Sequence, residues 1–72
     1  MENIEIKTEF IKLDQLLKFT GMVGNGSDAK FMIKDGIVCV NGEVCTMRGK
    51  KIRPGDQVTI IDGETFEVVS AS

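Results

Sequence analysis

Residues 37–46 read Ile-Val-Cys-Val-Asn-Gly-Glu-Val-Cys-Thr, and this stretch decides how the chain folds. The pair Asn41-Gly42, placed between two runs rich in β-branched residues, predicts a hairpin with a two-residue turn. In the register of such a turn, Cys39 and Cys45 point to opposite faces of the hairpin. We therefore expect no disulfide between them and interpret both cysteines as small apolar side chains that fill space.

Two helices are predicted before the hairpin. The first has an apolar stripe at the spacing i, i+3, i+4 and i+7, formed by Leu13, Leu16, Leu17 and Thr20. Gly21 is expected to end this helix. The second helix is expected to begin after Ser27, its N-cap residue, and to end at Gly36. Its apolar stripe is formed by Ala29, Met32 and Ile33.

Shorter signals on either side complete the predicted fold. Residues 3–7 alternate between polar and apolar, which indicates a half-buried strand. After the hairpin, Pro54-Gly55 predicts a type II turn, and two further strands follow over residues 57–61 and 65–69, joined by a turn at Asp62-Gly63. The order β-α-α-β-β-β-β predicts one α+β domain over residues 1–72, with two helices packed on a small, mostly antiparallel sheet of about four to five strands.

The composition argues against several classes of function. The 72 residues include no His, so the commonest general base and metal ligand is missing. No apolar run approaches the ~20 residues of a membrane span, and residues 1–5 are acidic, unlike the start of a secretion signal. We expect a cytoplasmic protein with reduced cysteines that binds no membrane, metal or cofactor and has no catalytic activity.

Charge is distributed unevenly along the chain, although the formal net charge is only −2 and the pI about 5.0. All nine Lys and Arg lie in residues 7–55 together with five of the eleven carboxylates, so that segment carries +4. Residues 1–6 carry −2 and residues 56–72 carry −4. A basic middle between acidic ends indicates a polyanionic partner, and the acidic ends are expected to limit non-specific attachment to it.

The densest basic feature is Arg48-Gly49-Lys50-Lys51-Ile52-Arg53, with four bases in six residues. Such a run is often only a solvated loop. Lys12 and Lys18, which flank the first helix, and Lys30 and Lys34, on the second, also lie off the apolar stripes. If the helices and this segment border one groove, their bases converge on it.

Phe31 lies off the apolar stripe of the second helix. We favour its partial burial under a neighbouring strand, with a base-stacking platform as the functional alternative. Phe10, Phe19 and Phe66 are assigned to the core.

A glycine-rich stretch, Gly21-x-x-Gly24-x-Gly26-Ser27, joins the two predicted helices. It is not a Walker loop, because Ser27-Asp28 stands where that loop has Lys followed by Ser or Thr. We expect it to serve as a turn, and the free amides near Ser27 offer a place for one backbone phosphate.

Four segments, taken in this order, match the pattern of a known family. They are Lys12-Leu13-Asp14-Gln15-Leu16-Leu17-Lys18, Ser27-x-Ala29-Lys30-x-x-Ile33-x-x-Gly36, Ile37-x-Cys39-Val40-Asn41-Gly42-Glu43 and Ile52-x-Pro54-Gly55-Asp56-x-Val58. Together they resemble the S4-type RNA-binding domain, named after the small-subunit ribosomal protein. The chain is most similar to the short stand-alone bacterial members of that family, the YaaA/YbcJ-like group.

The resemblance implies a two-helix αL-type motif and binding of structured RNA, either ribosomal or transfer RNA, with the ribosome as one setting. The residues that it implies as RNA contacts are Lys12, Ser27, Lys30, Lys34, Arg48, Lys50, Lys51 and Arg53. We expect the protein to be a monomer.

Two other classes of function remain open at this point. A protein-interaction adaptor would make its contacts through the acidic ends of the chain. A β-grasp carrier would need a C-terminal Gly-Gly, whereas residues 69–72 read Val-Ser-Ala-Ser, so the carrier is not favoured.

Overall fold

The computed structural model describes residues 2–21, 26–61 and 63–71. Two helices pack against a five-stranded sheet, and a second sheet of two very short strands lies beside it. The elements, in chain order, are β1 (Glu2–Ile6), β2 (Ile11–Lys12), α1 (Leu13–Phe19), α2 (Gly26–Lys34), β3 (Val38–Val40), β4 (Glu43–Val44), β5 (Lys51–Ile52), β6 (Gln57–Ile60) and β7 (Thr65–Ser70). The predicted α+β class is confirmed.

The large sheet has the strand order β1-β7-β6-β3-β4. β1 and β7 are parallel, and the other three neighbouring pairs are antiparallel, so the prediction of a mostly antiparallel sheet is confirmed. The small sheet, an antiparallel pair of β2 and β5, was not predicted from the sequence. It joins the residues just before α1 to the basic segment that follows the hairpin.

The core forms where the apolar stripes of both helices meet one face of the large sheet. The predicted stripes are confirmed, since Leu13, Leu16, Leu17, Ala29 and Ile33 are fully buried. Alternate strand residues cover them from the sheet side: Ile4, Ile6, Val38, Val40, Val58, Ile60, Phe66 and Val68. This alternation is the period of two that a half-exposed sheet requires.

Glycines with positive φ end both helices. Gly21 (φ +79°) follows α1, and its N–H donates to the Lys18 carbonyl at 3.1 Å. After α2, Gly36 (φ +76°) donates to Ile33 at 3.1 Å and Ile37 donates to Met32 at 3.4 Å, which is the paired bonding of a Schellman motif. Both predicted helix ends are confirmed.

The start of α2 lies two residues before the predicted one. The helix begins at Gly26, so Ser27 lies inside its first turn and is not the N-cap. The N–H groups of the first helical turn have no acceptor within the helix, so the helix can extend back to Gly26 without a change in its internal hydrogen bonds. Residues 22–25 of the glycine-rich stretch lie outside the described residues.

The two predicted turns around the hairpin are confirmed. Asn41 (φ +52°) and Gly42 (φ +87°) form a two-residue turn of type I′, with Cys39 opposite Val44. At the second turn, Gly55 (φ +98°) follows Pro54, and the Asp56 N–H donates to the Arg53 carbonyl at 3.0 Å, as in a type II turn. The β6–β7 turn includes Asp62, which lies outside the described residues.

Both cysteines are free thiols, as expected. Cys39 and Cys45 are half-buried, and Cys45 packs against the edge of the core. No helix among the described residues is long and apolar enough to cross a membrane.

The aromatic residues depart most from the predictions. Phe66 is buried, as predicted, and Phe10 is half-buried. Assigning Phe19 to the core was wrong, because its side chain is 64% exposed. At 100° per residue, Phe19 lies about 120° from the centre of the leucine stripe of α1. Partial burial of Phe31 under a strand was also wrong, since that ring is 60% exposed on the side of α2 opposite its stripe.

Candidate nucleic-acid interface

The basic segment after the hairpin is held against the start of α1. The carbonyl of Lys50 accepts the N–H of Leu13 at 2.9 Å, and the carbonyl of Arg48 accepts the N–H of Asp14 at 3.1 Å. These are N–H groups that a helix leaves unsatisfied at its N-terminus. A distant part of the chain therefore caps α1, and the cap fixes the backbone from which the Arg48 and Lys50 side chains project.

The pairing of β2 with β5 places two lysines directly opposite each other. Ile11 pairs with Ile52, which is fully buried, and the next pair is Lys12 with Lys51, both exposed. Like charges directly opposite on neighbouring strands repel each other. An anion bound across this pair would relieve that repulsion, which is the arrangement expected of a phosphate site.

Five exposed bases thus lie on two segments that touch, and we call them the basic edge: Lys12, Arg48, Lys50, Lys51 and Arg53. Within residues 2–21, 26–61 and 63–71, no carboxylate forms an ion pair with any of them. Lys50 and Arg53 lie close enough to the Asp56 carboxylate for their charges to contribute to its lowered pKa, so one negative charge acts on the basic edge. The five positive charges exceed it, and the edge is available to a polyanion.

Phe10 contributes to the basic edge in a way that was not predicted. The ammonium nitrogen of Lys51 lies 5.0 Å from the centre of the Phe10 ring, within the range of a cation–π contact. The contact restrains a long side chain without removing its charge. Only the β2–β5 pairing brings Phe10 beside Lys51, so no local sequence pattern marks it.

The bases of α2 are on a different element. Lys30 and Lys34 are exposed and share one side of the helix, with Phe31 exposed between them. α2 packs against α1, but no backbone hydrogen bond joins it to residues 48–53 in the described part of the chain. The backbone of Ser27 belongs to α2, and its side chain lies outside the described residues.

The N-terminus of α1 is not itself an anion site. The N–H groups of Leu13 and Asp14 are bonded to the basic segment, and the N–H of Gln15 donates to the Asp14 carboxylate at 2.8 Å. Phosphate contacts at this end of the molecule must therefore come from side chains. The predicted phosphate contact of the amides near Ser27 also involves residues 22–25, which lie outside the described residues.

A network of hydrogen bonds connects the hairpin turn to the type II turn. The Asn41 amide donates to Asp56 at 3.1 Å and accepts the N–H of Gln57 at 2.9 Å, while the Arg53 N–H donates to Asp56 at 2.8 Å. The bond from Arg53, supported by the one from Asn41, holds the pKa of Asp56 below its ordinary value and outweighs the effect of partial burial. Asp56 is therefore a structural carboxylate of this region.

No cluster of three or more His, Cys, Asp or Glu suited to a metal ion occurs among the described residues.

Comparisons with known proteins agree on one family. The family model described as the S4 domain matches residues 4–69. A probable ribosome maturation protein, RlbA, of Bacillus subtilis (strain 168), is 39% identical over 67 residues, which cover 93% of this chain and 94% of that protein.

Proposed function

The chain belongs to the S4 domain family, and from that premise we propose that it is a non-catalytic RNA-binding protein that docks a basic face on structured RNA. The observation that carries the proposal is the convergence of Lys12 with the basic segment. Lys12 and Lys51 lie directly opposite each other, and no carboxylate is paired with either of them among the described residues. Their charges repel each other in the free protein, and a bound phosphate would relieve that repulsion.

We propose ribosomal RNA as the class of RNA, with transfer RNA as the second candidate, in the cytoplasm. The name of the Bacillus subtilis relative refers to ribosome maturation, and that relative aligns over nearly its whole length. Folded RNA exposes its phosphates and 2′-hydroxyl groups more readily than its base edges, so shape and charge dominate the recognition.

The basic edge supplies the main phosphate contacts in this proposal. Lys30 and Lys34 extend the contact along α2, together with Ser27 at the start of that helix. Phe31 is well exposed between the two lysines, so we propose that it stacks on an unpaired base.

The test removes two charges from the basic edge. The variant K50A/K51A should bind purified ribosomal RNA about tenfold more weakly than the unaltered protein, because exposed charge contacts contribute up to about 1 kcal/mol each. The slope of log K against log salt concentration should also fall by about 2, because each lysine removed neutralises one phosphate fewer. Filter binding over a series of salt concentrations measures both quantities.

A matched control is available in the same chain. Lys7 and Lys18 are the two bases outside the proposed interface, and both are exposed, so K7A/K18A removes the same charge elsewhere. If both double variants weaken binding equally, only net charge matters and the basic edge is not the interface. Phe31→Leu, run beside them, should lower affinity without changing the salt slope.

A further inference from the structure

A groove lies between the β3–β4 hairpin and the segment that follows it. Its walls come from residues 40–47 on one side and residues 50–56 on the other, and its volume is about 770 Å³. Pockets that bind small molecules usually measure about 300–1,000 Å³, so this groove has room for a single nucleotide. It opens beside the basic edge, because Lys50, Lys51 and Arg53 belong to both.

Some apolar side chains that line the groove lie outside the buried core. Val44 is 58% exposed and Met47 is 65% exposed, and both line the groove together with Pro54. Methionine is flexible and polarisable, and it packs well against flat or irregular partners. A small cluster of this kind, bordered by polar groups, is typical of a binding surface.

The charges on the two walls differ, and the difference orients a ligand. Lys50, Lys51 and Arg53 lie on one wall, and the exposed carboxylate of Glu43 lies on the hairpin wall. Asp56 also lines the first wall and stays ionised, because hydrogen bonds from Arg53 and Asn41 lower its pKa. It offsets one of the three positive charges and leaves the wall net positive. A phosphate is attracted to the first wall and repelled by Glu43, which leaves the hairpin wall to the uncharged part of the ligand.

The hydrogen bonds between the two turns also fix the groove. Asn41 stands on the hairpin wall and Asp56 on the other, and the 3.1 Å bond between them joins the walls directly. A groove tied across in this way is largely formed before any ligand arrives, so little ordering is needed on binding.

We propose that this groove receives one unpaired nucleotide of the bound RNA, with its base against Val44 and Met47 and its phosphate at Lys50 and Arg53. Bases in a continuous duplex are stacked inside it and cannot reach such a groove. The proposal rests on the proposed RNA-binding function and adds a structural preference to it. The preferred RNA carries a bulged or looped nucleotide next to a helical stem.

The test compares two RNA hairpins that differ only by a one-nucleotide bulge in the stem. The unaltered protein should bind the bulged hairpin about fivefold more tightly, a low value for base stacking because the contacts are aliphatic. Met47→Ala should remove most of this preference and leave the salt slope unchanged, since every phosphate-binding side chain is still present. Val44→Thr, which keeps the shape of the side chain, should have a smaller effect of the same kind.

The control is Ile61→Thr, which alters an exposed apolar residue outside the groove and should keep the preference for the bulge. Thermal unfolding by circular dichroism confirms that each variant is folded. Equal binding of both hairpins by the unaltered protein, or an unchanged preference in Met47→Ala, would overturn the groove proposal while RNA binding stands. Failure to bind either hairpin or ribosomal RNA would overturn the proposed function itself.

Discussion

Asn41 shows how much one residue contributes to this structure. Its backbone adopts a positive φ that the type I′ turn requires, and its amide bonds to Asp56 and Gln57, 15 and 16 positions along the chain. Asparagine tolerates this backbone conformation better than other residues with a Cβ. The same residue therefore closes the hairpin and attaches it to the next turn, which explains why the two walls of the groove keep their spacing.

Asp56 leads to a prediction about pH. Its folded-state pKa lies below its unfolded value, so its stabilising effect is complete above the unfolded pKa of about 4 and is lost as the pH falls through the folded pKa. Asp56→Asn should lower the free energy of unfolding by about 1 kcal/mol at pH 7, the net value of a hydrogen-bonding group. This deficit should shrink below pH 4, where the carboxyl of the unfolded chain becomes protonated, and should vanish as the pH falls through the lower folded-state pKa.

Urea unfolding at pH 7 and pH 3 measures the change. Glu64→Gln is the matched control, because Glu64 is exposed and its carboxylate makes no hydrogen bond among the described residues. The free energy of unfolding of this variant should equal that of the unaltered protein at both pH values. An Asp56→Asn deficit that stays constant between the two pH values would contradict the assignment.

The C-terminal end of α2 is defined by a Schellman motif at Gly36. Gly36 adopts a φ of +76° and passes the chain directly from the Schellman motif into β3. This is the point where the helical layer connects to the sheet, and it sets the direction of the hairpin that carries one wall of the groove.

Gly36→Ala should lower the free energy of unfolding by about 1–2 kcal/mol, because a Cβ is strained in the left-handed region. The new Cβ would meet Val44 only at an ordinary contact distance of 3.6 Å, so backbone strain and not a clash is the cause. Gly49→Ala is the control, since Gly49 lacks a positive φ and has open space around it. Urea denaturation should show little change for Gly49→Ala; equal losses in both variants would refute the strain argument.

The predictions from sequence succeeded for elements that depend on neighbouring residues. Asn41-Gly42 and Gly36 act within one turn of the chain, so their patterns identify the hairpin and the helix end directly. The pairing of Ile11–Lys12 with Lys51–Ile52 depends on residues far apart in the sequence, and strands of two residues have no recognisable period. The sequence therefore predicts which basic residues belong to the basic edge from their residue type, but it does not predict that Lys12 pairs with Lys51, which only the structure shows.

The two edges of the large sheet differ in their balance of charge. The groove and its bases adjoin the hairpin, which forms one edge of that sheet, while β1, with the exposed Glu2 and Glu5, forms the other edge. Charges of opposite sign at the two edges orient the protein as it approaches a polyanion, so that the basic edge faces the polyanion. The net charge of −2 conceals this arrangement.

Removing acidic charge from the far edge tests this orientation. The variant E2Q/E5Q changes the two exposed carboxylates of β1 and should bind polyuridylate, a non-specific RNA, several-fold more tightly at low salt. The difference should disappear near 1 M salt, where the Debye length is about 3 Å. Filter binding at both salt concentrations measures it, and equal affinities at low salt would show that the acidic edge does not limit non-specific attachment.

The acidic residues at the end of the chain also require side-chain substitution, because they cannot simply be deleted. β7 lies between β1 and β6, and its Phe66 and Val68 are buried in the core. A chain shortened before residue 65 would lose a central strand and the partner of β1.

The central position of β7 also determines when the protein can fold. β1 is synthesised before the other strands of the large sheet, yet its neighbour β7 is synthesised after them, with Ile4 beside Val68. Contacts between such distant parts of a chain form slowly, because a long loop must close before they provide any stabilisation. During translation the helices and the hairpin can form their local contacts early. β1 cannot pair with β7 until residues 65–70 have been synthesised.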